Sequence, residues 1–293
     1  MSKLFDANDR LVQMVGFNID TLVSLLTDGG AVASETIFMY KNGRVAGSAV
    51  TGTSGVLQDL FLHDGAPIGN GVTAASSSVS QPDRTLAGCM GQVDPTGGRT
   101  KYIAKIDAHA TIGGMLVLYD RLVQSSGLSG TSNSTQNVNS GSSLDVTRYT
   151  SGVGNWLCAE IYTSVGGTAT TITAVYKDGA GSSQTTQAVS FGGGGRQTAG
   201  TMIPLSLVAG GSTLKGVTSC ILGASTLTAG DFGLSIIHPL MMFPISVAGA
   251  SHCANFLNLL MPTVQTGACL GWATFAASTT FMQPTIFATL VEN

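Results

Sequence analysis

The chain has 293 residues, of which 43% are hydrophobic and only 6% aromatic, enough for one large β domain or two smaller ones. Its 13 Lys and Arg against 16 Asp and Glu leave a net charge of −3. With no basic run, this argues against a direct nucleic-acid partner, which needs clustered cations. Charged residues make up 10% of the chain, against about a quarter in an average soluble domain. From residue 201 to the end the only ones are Lys215, Asp231 and Glu292. A charge-free surface is poorly soluble on its own, so this last third is expected to carry subunit contacts. The five cysteines, Cys89, Cys158, Cys220, Cys253 and Cys269, are odd in number and form no CxxC. They read as reduced thiols used as small buried hydrophobes.

The N-terminus, Met1-Ser2-Lys3-Leu4-Phe5-Asp6, has no apolar run, so no secretory signal is expected. Leu11, Val12, Val15, Ile19, Leu22, Val23 and Leu26 recur at helical spacing. Asp9 is placed to cap a helix, and Asp28-Gly29-Gly30 to end one. Gly16 interrupts the pattern. Residues 1–30 are expected to be an N-terminal arm, as a short amphipathic segment or one to two helical turns. A first strand of the body is the alternative.

Residues 36–40 read as a strand, Asn42-Gly43 as a two-residue type I′ turn, and residues 44–51 as its return. Residues 52–94 are loop-rich, and 101–107 and 115–121 read as further strands. Residues 125–143, SSGLSGTSNSTQNVNSGSS, are of low complexity and read as a flexible or exposed loop. These elements make residues 31–150 a first β region.

From Asn155 the alternation becomes regular. Strands are expected over 156–163 and 169–176, then, after the turn Lys177-Asp178-Gly179-Ala180-Gly181, over 185–191. Further strands are expected over 202–208, 217–222, 233–237, 240–245, 270–276 and 285–291. One late helix is plausible, with Ser251 as cap, Phe256, Leu257, Leu259 and Leu260 on it and Pro262 stopping it. Residues 151–293 form a β-sandwich region that can be continuous with 31–150. The fold class expected is all-β, a β-sandwich or jelly-roll-like body with a short N-terminal arm and at most one or two short helices.

Residues 233–250, GLSIIHPLMMFPISVAGA, are about long enough to cross a bilayer. His238, Pro239 and Pro244 break the pattern, since prolines would interrupt a helix. One or two buried strands with a proline at each boundary are expected instead, and no membrane partner.

The residues hold no recognisable catalytic, cofactor-binding or metal-binding set. No G-x-S-x-G nucleophile elbow occurs. Gly192 to Gly195 followed by Arg196 lacks the Lys-Ser/Thr of a phosphate loop and reads as a corner between strands. His252-Cys253, His238 and Cys269 lack the paired spacing of a zinc site. His63-Asp64 are adjacent, so their side chains point apart on extended chain. Asp107 and His109 would share a strand face as an exposed pair. Trp156 and Trp272 read as core anchors ahead of sugar-stacking platforms.

The stretch Trp156-Leu157-Cys158-Ala159-Glu160, with Thr168-Ala169-Thr170-Thr171-Ile172-Thr173-Ala174-Val175-Tyr176-Lys177-Asp178-Gly179-Ala180-Gly181 and Thr185-Thr186-Gln187-Ala188-Val189, resembles virion structural proteins of tailed bacteriophages. So does Gly223-Ala224-Ser225-Thr226-Leu227-Thr228-Ala229-Gly230-Asp231-Phe232-Gly233 with the strands after it. The likeness lies in strand–turn cadence over about residues 150–250 and includes no diagnostic motif. It implies a β-rich, non-enzymatic protein with no cofactor, assembled in bacterial cytoplasm and located in the virion. The role it implies is a capsid cement or decoration protein. A tail, baseplate or major capsid component is the alternative, and a carbohydrate-binding β-sandwich a second. The implied partners are the chain itself, as a homo-oligomer and most simply a trimer, and a major capsid protein or other virion subunits.

Overall fold

Apolar residues at every second position, punctuated by glycine-rich turns, make strands of nearly every stretch with regular structure. The computed structural model describes residues 35–45, 48–49, 55–69, 79–255 and 261–292. The strands of the first half are β1 (Glu35–Val45), β2 (Ser48–Ala49), β3 (Leu57–Asp59), β4 (His63–Ala66), β5 (Val79–Ser80), β6 (Lys101–Ala110), β7 (Gly114–Ser125), β8 (Gln136–Asn137) and β9 (Leu144–Asp145). Those of the second half are β10 (Trp156–Thr163), β11 (Thr170–Lys177), β12 (Ser183–Thr185), β13 (Val189–Phe191), β14 (Thr201–Leu205), β15 (Gly216–Leu222), β16 (Asp231–Ile245), β17 (Ser251–Asn255), β18 (Thr263–Val264), β19 (Leu270–Ala276) and β20 (Pro284–Glu292). Among the described residues the one helical piece is a 3-10 turn at Asn139–Gly141, so the protein is all-β, as expected.

The central sheet closes on itself. Its order is β16-β10-β14-β3-β19-β7, and β7 pairs back onto β16, with β5 attached outside β7. The result is a six-stranded ring to which strands from before and after residue 150 both contribute. A second sheet, β17-β6-β20-β1-β2 with β4 and β18, lies over one side. A third, β12-β11-β15-β8 with β9 and β13, lies over the other.

Strand alternation explains how one ring serves three interiors. Leu116 and Leu118 of β7, Trp272 of β19 and Phe243 of β16 face outward and meet Ile106, Ile286 and Leu290 of the second sheet. Leu157, Ala159 and Ile161 of β10, with Phe232, Leu234 and Ile236 of β16, meet Ile172, Tyr176 and Val217 of the third sheet. The intervening residues point into the ring: Leu57, Val117, Tyr119, Cys158, Met202, Ile237 and Ala273. A ring this small has its interior filled by side chains.

Four sequence expectations are corrected. Asn42-Gly43 does not close a hairpin. Chain β1 runs through it to Val45, and the pairing of Arg44 with Ala49 places the reversal after Val45. Gly43 has φ +74, and the register shifts between Lys41 and Val45, so the glycine makes a bulge. A Cβ there would stand 2.5 Å from Cδ1 of Phe281, which takes the space instead.

The tract at 125–143 is exposed over much of 131–142, as one of its two readings had it, but it is tied down and not free. Gln136 ties it internally, accepting from Ser129 N at 2.7 Å and donating to Ser129 O at 3.0 Å. Leu128 and Val138 are buried in the core. Of the one or two strands expected over 233–245 the structure has one, β16, but it passes through both prolines and is not bounded by them. Beyond Ile237 its ladder is with β7 alone, so a missing N–H can face an open edge. Lastly, 251–255 is strand β17 rather than the start of a helix. The arm at 1–30 and the rest of that helix, 256–260, lie outside the described residues.

Candidate functional site

The ring interior holds a sealed ionic cluster. Arg121 of β7, Asp59 of β3 and Glu160 of β10 all point inward and have no exposed side-chain surface. Arg121 donates from Nη1 to Glu160 Oε2 at 2.5 Å, and from Nη2 to Glu160 Oε1 at 3.1 Å and to Asp59 Oδ2. Ser235 Oγ and Tyr162 OH donate to Glu160 at 2.6 and 3.2 Å, while Tyr119 OH and Phe61 N donate to Asp59 Oδ1. The guanidinium also stacks on Phe61, 4.2 Å from the ring centre.

Two carboxylates share one cation, and the environment separates them. Burial raises Asp59 well above the usual carboxylate range, against the pull of Arg121. Burial also works to raise Glu160, but Arg121 and the hydrogen bonds outweigh it and hold Glu160 down to about 2. Burial therefore opposes the charge on Asp59 more than that on Glu160, and Glu160 is the firmer counter-charge to Arg121. Nothing can enter to meet it, so its role is to tie β3, β7, β10 and β16 together.

One mouth of the ring opens into a groove of about 410 Å³, formed by Trp156, Leu157, Pro204, Leu205, Leu207 and Phe275 with Ser206 and Ser212 on its walls. Its floor is rigid. Asn155 donates to Leu214 O at 2.9 Å and lies 2.8 Å from His238 Nδ1, and His238 stacks on Tyr149 at 3.7 Å. No lining residue is charged.

The outer face of the second sheet is uncovered among the described residues. Phe38 of β1 pairs with Phe287 of β20, their ring centres 5.0 Å apart and each 44% exposed. Asp107 of β6 sits beside Phe287, ion-paired to Lys105 at 2.6 Å. Elsewhere Val208, Ile221, Leu227, Met242 and Val247 are exposed. All five, with Phe287, belong to the charge-poor last third. Of its three charges, Asp231 and Glu292 are buried and only Lys215 reaches the surface.

The residues singled out in the sequence are not gathered into one site. His63 is buried against Phe281, its ring nitrogens without hydrogen-bond partners, and burial lowers it to about 3. His252 bonds the turn at Val247, and His238 belongs to the groove floor. Trp272 is core, its Nε1 donating to Met90 Sδ at 2.9 Å, whereas Trp156 is half-buried at the ring mouth. Gly192 to Gly195 all have positive φ and turn the corner between β13 and β14. Four of the cysteines are buried thiols as expected, but Cys253 is exposed. Among the described residues no group of His, Cys, Asp or Glu could hold a metal ion, and no helix is long and apolar enough to cross a membrane. Sequence reasoning missed Asp59, Arg121 and Glu160. Their signal was a lone charge inside an apolar strand, as in WLCAEIYT.

No protein-family model and no curated protein matches the chain. Among solved structures it is similar to VP2 of infectious bursal disease virus in a subviral particle. That match has 9% identity and a TM-score of 0.19, and covers 92% of this chain and 85% of that one. An Asp-to-Asn mutant of the same VP2, from derived T=1 particles, is similar at 10% identity and a TM-score of 0.20, covering 92% and 82%. Scores this low mean that the folds do not superpose, and the functional reading rests on the chain's own surfaces.

Proposed function

We propose that this chain is a non-enzymatic structural subunit of a virion, acting as a capsid cement or decoration protein that binds over the junctions of shell subunits. The observation that carries the reading is the surface of the last third. Its one charge at the surface is Lys215, itself half-buried, and it presents Val208, Ile221, Leu227, Met242, Val247 and Phe287 to its surroundings. Contacts with like subunits and with a major capsid protein would remove that apolar area from water, at about 25 cal/mol per Å², offset by the cost of association. The Arg121 cluster is sealed inside the ring and offers no reacting group to a substrate. Neither nucleic acid nor membrane has a matching surface in this reading. A tail, baseplate or major capsid role would use the same surfaces.

The experiment is antibody labelling of intact particles by electron microscopy, with the thermal stability of shells measured with and without the chain. Label on the shell and a loss of stability without the chain are expected; absence from the particles would sink the reading. A second reading, a carbohydrate-binding module, is favoured by Trp156 at the mouth of an uncharged groove with two serines. It predicts quenching or a shift of Trp156 fluorescence on adding neutral saccharides, with Trp272 silent in the core.

A further inference from the structure

Two apolar features lie at opposite ends of the molecule. Strands β10 and β16 are antiparallel, with Trp156 opposite Ile237 and Thr163 opposite Asp231. The groove is at the Trp156 end, and the loop 223–230 enters β16 at the Asp231 end. At the usual strand rise the two ends are about 23 Å apart, so the loop cannot reach the groove of its own chain.

Leu227 is the tip of that loop. It is 76% exposed and has φ +74, a left-handed conformation that non-glycine residues seldom adopt. The base beneath it is pinned. Thr226 is fully buried, its Oγ1 donating to Gly130 O at 2.9 Å and accepting from Gly166 N at 3.0 Å. Leu227 N donates to Ser225 Oγ at 3.0 Å. A large apolar side chain is thus held away from the body in a costly backbone state, and it joins no apolar cluster among the described residues. Such an outlier points to a role outside the monomer.

The groove has the complementary character. Its volume of about 410 Å³ admits a leucine with its neighbours, and its walls are aromatic and aliphatic. No residue of the lining and none of 223–230 is charged, so joining them desolvates no charge at the centre. Val153 and Val208 extend the apolar surface beside the groove, and Ile221 does so beside the loop. Asn155, Ser206 and Ser212 are the polar members of the lining, and Ser225 and Thr228 flank the loop tip. This is the arrangement of an apolar centre with a polar rim.

We propose that copies of this chain associate head to tail, with Leu227 of one copy seated in the Trp156 groove of the next. The proposal rests on the assembly reading above and adds its geometry. A heterologous contact leaves one loop and one groove free after each addition, so it closes into a ring or continues as a line. One side chain and its surroundings bury less than the roughly 1,000 Å² of a stable isolated pair. The contact is then weak singly and strong when repeated in an array.

The test uses the full chain and two variants, Leu227→Asp and Ser212→Arg, the second filling the groove from its exposed wall. Sedimentation velocity is measured from micromolar concentrations up to about 1 mM. The wild type is expected to associate with concentration, and each variant alone to associate about a hundredfold more weakly. Mixed in equal amounts the variants should form a dimer that grows no further, because one supplies an intact groove and the other an intact Leu227. If either variant loses the wild-type circular dichroism, Leu227→Ser and Ser206→Arg replace the pair. Wild-type association by the folded variants, or a mixture that stays monomeric, overturns the head-to-tail contact and leaves the virion reading standing. A wild type that is monomeric throughout overturns both.

Discussion

Arg121 shows how much one side chain can decide. It is a buried cation between two carboxylates, and the two are not equivalent. Glu160 is held ionised by Arg121 and its hydrogen bonds, whereas burial pushes the Asp59 carboxyl up. Glu160→Gln removes the firmer counter-charge of Arg121 and should cost about 3–5 kcal/mol. Asp59→Asn removes an acceptor and the carboxylate whose charge burial opposes, and should cost less, about 1–2 kcal/mol. Urea unfolding at neutral pH measures both, and equal losses would contradict the assignment. The pH dependence follows from the same shifts. Glu160 lies near 2 in the fold against an ordinary 4.5. Its contribution is complete above the ordinary value and is lost as pH falls toward 2. The gap in stability between wild type and Glu160→Gln should therefore narrow over that interval. At the surface, Leu227→Gly relieves a left-handed leucine and should raise monomer stability by about 1 kcal/mol while weakening self-association. Stability and assembly moving together would count against the proposed role of Leu227.

At the scale of elements, Asn42-Gly43 was legible as a place needing positive φ, but not as a bulge. A two-residue turn and a bulge ask for the same glycine. What distinguishes them is Phe281, far away in sequence, whose ring fills the space a Cβ would occupy. Gly43→Ala meets both the φ penalty and that ring, and should destabilise by about 2–3 kcal/mol in thermal or urea unfolding. A neutral substitution would show the ring can move aside freely. The same limit applies to residues 125–143, where composition promised a flexible or exposed loop. Leu128, Val138 and the side-chain bonds of Gln136 order it, and two apolar residues in nineteen leave almost no periodic signal.

At the scale of the whole molecule, the ring joins β3 and β7 to β10, β14, β16 and β19, and β1 pairs with β20. Every described strand finds its partners between residues 35 and 292. Deleting residues 1–30 should therefore leave a folded body with a β-dominated circular dichroism spectrum and a melting temperature close to that of the full chain. If binding to its assembly is then impaired, the segment works as an arm. A truncated chain that fails to fold would assign it to the core.

The sequence by itself determined the class of structure: alternation, sparse aromatics and glycine-rich turns admit strands and little else, and the last third is nearly uncharged. Those are local or compositional properties, readable without knowing what touches what. The tertiary structure alone decided that the central sheet closes into a ring, that Asp59, Arg121 and Glu160 meet inside it, and that Leu227 and the Trp156 groove stand at opposite ends. Each depends on pairing between residues far apart in the chain, where alternation tells which residues share a face but not which strand lies alongside.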